Sequence, residues 1–177
     1  MFAEGAFSQA FVPVLAASKE KEGIEPTRAL INAVATLLTM VLLVISVAGV
    51  VGAPILVYML ASGLNPQGFE AATVMTRWMF PYIACMSLVA LGAGVLNTWK
   101  QFAVPAATPV LLNVAMISAA WLGAPWFQRH GIERIYAMAG GVMLGGVLQL
   151  GAILLALRHI GLAPRVRVSL GAARAAW

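Results

Sequence analysis

Four long apolar runs, separated by short polar stretches, set the pattern of this chain. They cover residues 29–61, 72–97, 104–127 and 135–157. Each reaches the roughly 20 residues that a helix needs to cross a bilayer. The first is the longest: at 1.5 Å per residue it extends about 50 Å, more than the hydrocarbon core requires. Pro54 inside it predicts a kink, with the last turns resting in the interface. Residues 3–17 form a fifth, weaker segment. The connections at 18–28, 62–70, 97–102 and 128–134 are short and polar, and the first two carry Gly and Pro. The pattern predicts an all-α, polytopic transmembrane helix bundle of about five spans over 1–168. Beyond His159 the chain turns basic and loses its periodicity, so 169–177 is expected to be a frayed tail.

The fifth segment belongs to neither solvent. EGAFSQAFVPVL, residues 4–15, mixes Glu4, Ser8 and Gln9 with Phe7, Phe11, Val12, Val14 and Leu15. At 100° per residue Glu4, Gly5, Ser8 and Gln9 fall within an arc of about 140°, with Phe7, Phe11 and Val14 on the other side. A helix lying flat on a membrane usually carries lysine and arginine on its polar face, and this one has none before Lys19. A helix lining an aqueous cavity in a bundle fits better, and Glu4 is then an intramembrane carboxylate, functional by default.

Composition agrees with lipid as the main solvent: 62% of residues are hydrophobic and 10% charged, against about 25% charged in soluble domains. The net charge of +5 is spread between apolar segments rather than gathered in a patch with interleaved aromatics. It therefore sets topology and does not indicate nucleic acid. Successive crossings alternate sides, so 18–28, 97–102 and the tail share a face. That face holds Lys19, Lys21, Arg28, Lys100, Arg158, Arg165, Arg167 and Arg174, eight cations against Arg129 and Arg134 on the other. The bias places the first face in the cytoplasm and 62–70 and 128–134 outside. The first residues lack the basic region of a signal peptide, as if the chain began in the middle of something larger.

Enzyme chemistry finds no foothold. His130 and Glu133 are three apart, with no further metal ligands near. There is no G-x-x-x-x-G-K nucleotide motif, and no carboxylate pair lies inside a span. The single cysteine, Cys85, reads as packing. No cofactor is expected. Polar groups at membrane depth remain. Arg77 lies about one turn into its span; it either faces a bundle interior or watery cavity, or snorkels to the headgroups. Asn97, Asn113 and Gln149 suit hydrogen bonds between helices. Gly141 and Gly145 have the GxxxG spacing that lets helix backbones approach closely. The prolines and glycines suit ordinary membrane packing first; the alternative is helices that slide or bend during a transport cycle.

Longer runs carry a resemblance. AEGAFSQAFVPVLA, residues 3–16, resembles the second-helix signature of the MurJ (MviN) family of lipid II flippases. RWMFPYIACMSLVALGAGVLNTWKQFAVPAATPVLLNVAMI, residues 77–117, is similar to that family's fourth and fifth helices, with FPYI, LNT and PA-x-x-PxLLN elements. GGVLQL at 145–150 resembles its sixth. The resemblance implies membership of the multidrug/oligosaccharidyl-lipid/polysaccharide exporter superfamily: about fourteen helices in two lobes around a cationic cavity. It implies alternating-access movement of the lipid-linked peptidoglycan precursor, lipid II, across the bacterial cytoplasmic membrane. The chain would then supply the second to sixth helices, part of one lobe, working with the remaining helices of a full transporter and with membrane lipids. Glu4, Ser8 and Gln9 match the cavity-facing second helix. Lipid II carries a pyrophosphate and carboxylates, which call for cations; within this chain Arg77 is the candidate contribution. The family's first helix and the arginine preceding the AEGAFSQ signature do not appear in this sequence.

Two other readings compete. One is another exporter of the same superfamily, for drugs or O-antigen lipids. The other is a non-transporting membrane scaffold of cell-wall synthesis, which predicts that Glu4 and Arg77 tolerate neutral substitution.

Overall fold

The structure, a computed structural model, describes the backbone of residues 2–164 and the side chains of residues 11–164. The tail expected at 169–177 lies outside the described residues. Helices account for nearly everything described: α1 Phe2–Lys21, α2 Ile24–Leu60, α3 Pro66–Thr98, α4 Ala103–Ser118, a π-helical turn Ala119–Gly123, α5 Ala124–Arg129 and α6 Arg134–His159. The segment Ala103–Arg129, with its π turn, runs as one rod. It joins α2, α3 and α6 as the four described helices long and apolar enough to cross a bilayer. The chain is a multi-pass membrane protein.

Two helices start earlier than the apolar runs. α2 begins at Ile24, because Pro26 is tolerated in a first turn and Glu25 suits the positive helix start. Thr27 donates its hydroxyl to the carbonyl of Gly23 at 2.6 Å and stiffens that turn. α3 begins at Pro66, where Asn65 caps the helix: its Oδ1 accepts from the Gly68 N–H at 2.7 Å. An apolar run marks the stretch that lipid will accept. Helical hydrogen bonding continues into water until a cap ends it.

The ends are closed by paired backbone bonds around a left-handed residue. After α6, Gly161 has φ 72, Leu162 N–H reaches Leu157 O at 2.8 Å and Gly161 N–H reaches Arg158 O at 3.0 Å. This is a Schellman ending. After α3 the same pattern uses Lys100 at φ 58, with Gln101 N–H on Leu96 O at 2.9 Å.

Proline shapes the interior of the α4 rod. Pro109 has no N–H for the carbonyl of Pro105, and the Thr108 hydroxyl takes that carbonyl at 2.8 Å. Pro125 likewise cannot donate. The widened π turn stands just before it, with Ala124 N–H bonded back to Ala119 O. α2 carries Pro54 within one continuous helix.

α3 is the hub. α2 and α6 both lie along it, α1 packs on α3 and α2, and α4 packs mainly on α6. Glycines set the close approaches. A Cβ on Gly49 would lie 2.1 Å from the Phe80 ring, and one on Gly146 would lie 2.9 Å from Tyr82. The aromatic residues of the FPYI stretch therefore pack against glycine on α2 and α6. A Cβ on Gly92 would meet Ile153 at 2.2 Å. On the other side of α6, Gly141 and Gly145 face Ala119 and Leu112 of the α4 rod. The closed core gathers Phe11, Leu15, Ile31, Val95, Leu96 and Ile153 with their neighbours. These residues come from the end of α1, the start of α2 and the ends of α3 and α6, so the core sits at one end of the bundle.

Candidate functional site

The packed end is also the cationic end. Lys19, in the last turn of α1, points its Nζ at the carbonyl of Thr98 at 3.4 Å and lies 4.5 Å above the Trp99 ring. Arg28 in α2 donates to the carbonyl of Gly161, beyond α6, at 2.5 Å, and pairs with Glu25 at 3.4 Å. The connections at 18–28 and 97–102 and the chain after α6 thus meet in space. This is the grouping that alternation of crossings requires.

α2 and α6 both touch α3, and their axes leave a groove between them. Its mouth is a cavity of about 680 Å³ lined by Arg28, Asn32, Gly151 and Arg158 among others. Deeper in, an apolar extension of about 230 Å³ runs between Ile31, Ala35, Leu91 and Ile153. Leu154 and Pro164 line both, so the two spaces are neighbours along the groove. In the sequence, Arg28 and Arg158 read only as topology-setting charges. The missed signal is spacing: Asn32 is one turn from Arg28, and Gly151 is two turns from Arg158, each pair on one helix face.

The polar residues singled out in the spans have different surroundings. Gln149 is almost fully buried, and its Nε2 donates to the main-chain carbonyl of Thr108 on α4 at 2.8 Å. Its Oε1 has no hydrogen-bond partner among the described residues. Asn97 and Asn113 are exposed. Arg77 is also exposed and lies eleven residues into α3, beside the exposed Trp78 and Met79. It is not brought to the cationic end. Glu4, Ser8 and Gln9 belong to the backbone of α1, and their side chains lie outside the described residues. α1 is an edge helix: among the described residues it packs on α3 and α2, touching neither α4 nor α6. Phe11 and Leu15 face inward while Pro13, Val14 and Ala17 are exposed.

At the opposite end, His130 places Nδ1 2.8 Å from the carbonyl of Trp126 and tilts over the Trp126 ring at 4.2 Å. Arg134 is held by the Gln128 side chain. These contacts close the α5–α6 turn, with His130 bonded to backbone.

Comparisons with known proteins agree along the chain. The family model described as Lipid II flippase MurJ matches residues 1–175. The lipid II flippase MurJ of Burkholderia cenocepacia is 49% identical over 166 residues, covering 93% of this chain and 31% of the relative. A probable lipid II flippase MurJ of Rhizobium tropici is 34% identical, covering 94% of this chain and 32% of the relative. One of Vibrio cholerae is 38% identical, covering 84% and 29%. The chain spans about a third of the length of these relatives.

Proposed function

The chain belongs to the lipid II flippase MurJ family, and on that premise we propose that it forms part of one lobe of a transporter for lipid II. The transporter carries this lipid-linked precursor across the bacterial cytoplasmic membrane by alternating access, without making or breaking a covalent bond. The observation that carries the reading is the family match over nearly the whole chain. The position of α1 supports a cavity role: it is an edge helix whose described packing is confined to α3 and α2. In this reading Glu4, Ser8 and Gln9 line the wet side between two lobes. Arg77, exposed on the described bundle, contributes a cation toward the pyrophosphate. The 18–28 end faces the cytoplasm.

The test uses cells depleted of their own flippase and supplied with the full-length transporter carrying Glu4→Ala or Arg77→Ala. Both proteins are expected to insert, and both to lose most of the flipping measured by extracellular labelling of the precursor. Normal growth with Glu4→Ala as the sole flippase would remove Glu4 from the cavity. Normal growth with both substitutions combined would favour a scaffold that transports nothing.

A further inference from the structure

We propose that the groove between α2 and α6 is a binding site for an anionic glycerophospholipid. Its phosphate would sit between Arg28 and Arg158, and an acyl chain would lie in the apolar extension over α3. The proposal concerns a lipid that stays with the protein and does not depend on what the transporter carries.

Position comes first. Arg28 is the fifth residue of α2 and Arg158 the penultimate residue of α6. Both sit where a membrane span ends, at the depth of headgroups. The two helices run in opposite directions, so their cations arrive at one level from opposite walls of the groove. Chemistry comes second. Arg28 gives two of its five N–H donors to Gly161 O and Glu25 Oε1, which leaves donors for a phosphate. Glu25 does not line the cavity, and its side chain is 82% exposed. Arg158 has no ion-pair partner among the described residues. Asn32 lines the same wall of the cavity one turn deeper.

Shape comes third. The mouth, at about 680 Å³, is within the size range of small-ligand sites, and it adjoins the apolar space floored by Leu91, Gly92 and Val95. A charged entrance beside a greasy space in the same groove matches a molecule with a phosphate at one end and hydrocarbon at the other. Basic pockets between spans recognise anionic headgroups in this way. A helix of another protein would match the apolar floor but offers the two arginines nothing unless it carries acids at that level. The lipid supplies both halves of the complement.

The experiment uses the full-length transporter in bilayers containing phosphatidylglycerol with a photoactivatable acyl chain. The same probe on phosphatidylcholine is the comparison. Irradiation is expected to label peptides from 28–39 and 150–158 with the anionic probe, and unlabelled phosphatidylglycerol should compete. Replacing both cations, Arg28→Gln with Arg158→Gln, should cut the labelling about tenfold or more. Gly151→Leu tests the space without touching charge. A Cβ there meets no atom within 4 Å, so the added side chain fills the groove and labelling should fall again. If the charge variant fails to insert, Gly151→Leu decides alone. Equal labelling by both lipids overturns the proposal. So does labelling that both variants leave unchanged, and so does a cross-link showing that another segment of the transporter fills the groove.

Discussion

Gln149 of α6 reaches across to α4 and donates its amide to the main-chain carbonyl of Thr108 at 2.8 Å, next to the place where proline interrupts that helix. The Thr108 hydroxyl is already committed to the Pro105 carbonyl, which Pro109 leaves without an N–H. One polar side chain from α6 and one from α4 thus repair or brace a single irregular stretch. The arrangement keeps a proline-bearing helix firm against its neighbour where no water is available.

Substitutions at Gln149 should separate shape from charge. Gln149→Met keeps the volume and loses one hydrogen bond, worth about 1 kcal/mol. The Oε1 it removes has no partner among the described residues. Gln149→Glu keeps the shape but sets a carboxylate against the Thr108 carbonyl in a buried place, costing about 3 kcal/mol or more if it ionises. Thermal melting of the full-length protein in detergent should rank the wild type highest, Met slightly below and Glu well below. A Glu variant as stable as wild type would show that this contact is wet.

Adjacent glycines on α6 should behave in opposite ways. A Cβ on Gly141 would lie 2.4 Å from that of Ala119, with the Ala115 carbonyl and the Met116 Cα close behind. Gly141→Val is expected to force α4 and α6 apart, costing about 1–3 kcal/mol. A Cβ on Gly140 meets nothing within 4 Å. Gly140→Ala should be neutral or stabilising by up to about 1 kcal/mol through helix propensity. Melting curves of the two variants make the comparison. Equal losses would mean that the closeness of the two helices is not set by Gly141.

Lys19 should matter for how firmly α1 is held. Lys19→Gln removes both the reach to Thr98 and the cation over Trp99, together about 1 kcal/mol. Faster amide exchange is expected in the last turns of α1, with α3 little changed. Lys19→Arg, which also places a cation on an aromatic face, should restore most of the protection. Unchanged exchange in the glutamine variant would show that Phe11, Leu15 and the Ser18–Thr27 contact hold α1 without the cation.

The helical fold was legible because lipid imposes one requirement on every spanning residue. The backbone must bond within itself, so an apolar run of sufficient length has to be a helix. The helix starts were less legible, since Asn65 and Gly23 open α3 and α2 by local bonding that hydropathy does not register. GxxxG spacing pointed to close approach, but spacing does not name the neighbour. Gly141 and Gly145 face α4, Gly146 faces α3, and one residue of rotation decides which. The π turn before Pro125 was not legible either, because proline states which bond is missing and not how the rod accommodates it.

The candidate site divides in the same way. Glu4, Ser8, Gln9 and Arg77 stood out because a polar group in an apolar run is conspicuous by itself. Arg28 and Arg158 did not, because cations at the ends of spans are ordinary when each helix is read alone. The sequence by itself determined the four long apolar spans, their alternation and the crowding of cations at one end, since each depends on one residue's preference between water and lipid. Only the tertiary structure decided that α2 and α6 stand apart on α3 and turn two distant arginines toward one cavity. That outcome depends on side-chain volumes at the glycine crossings, a property of pairs of helices that no single run contains.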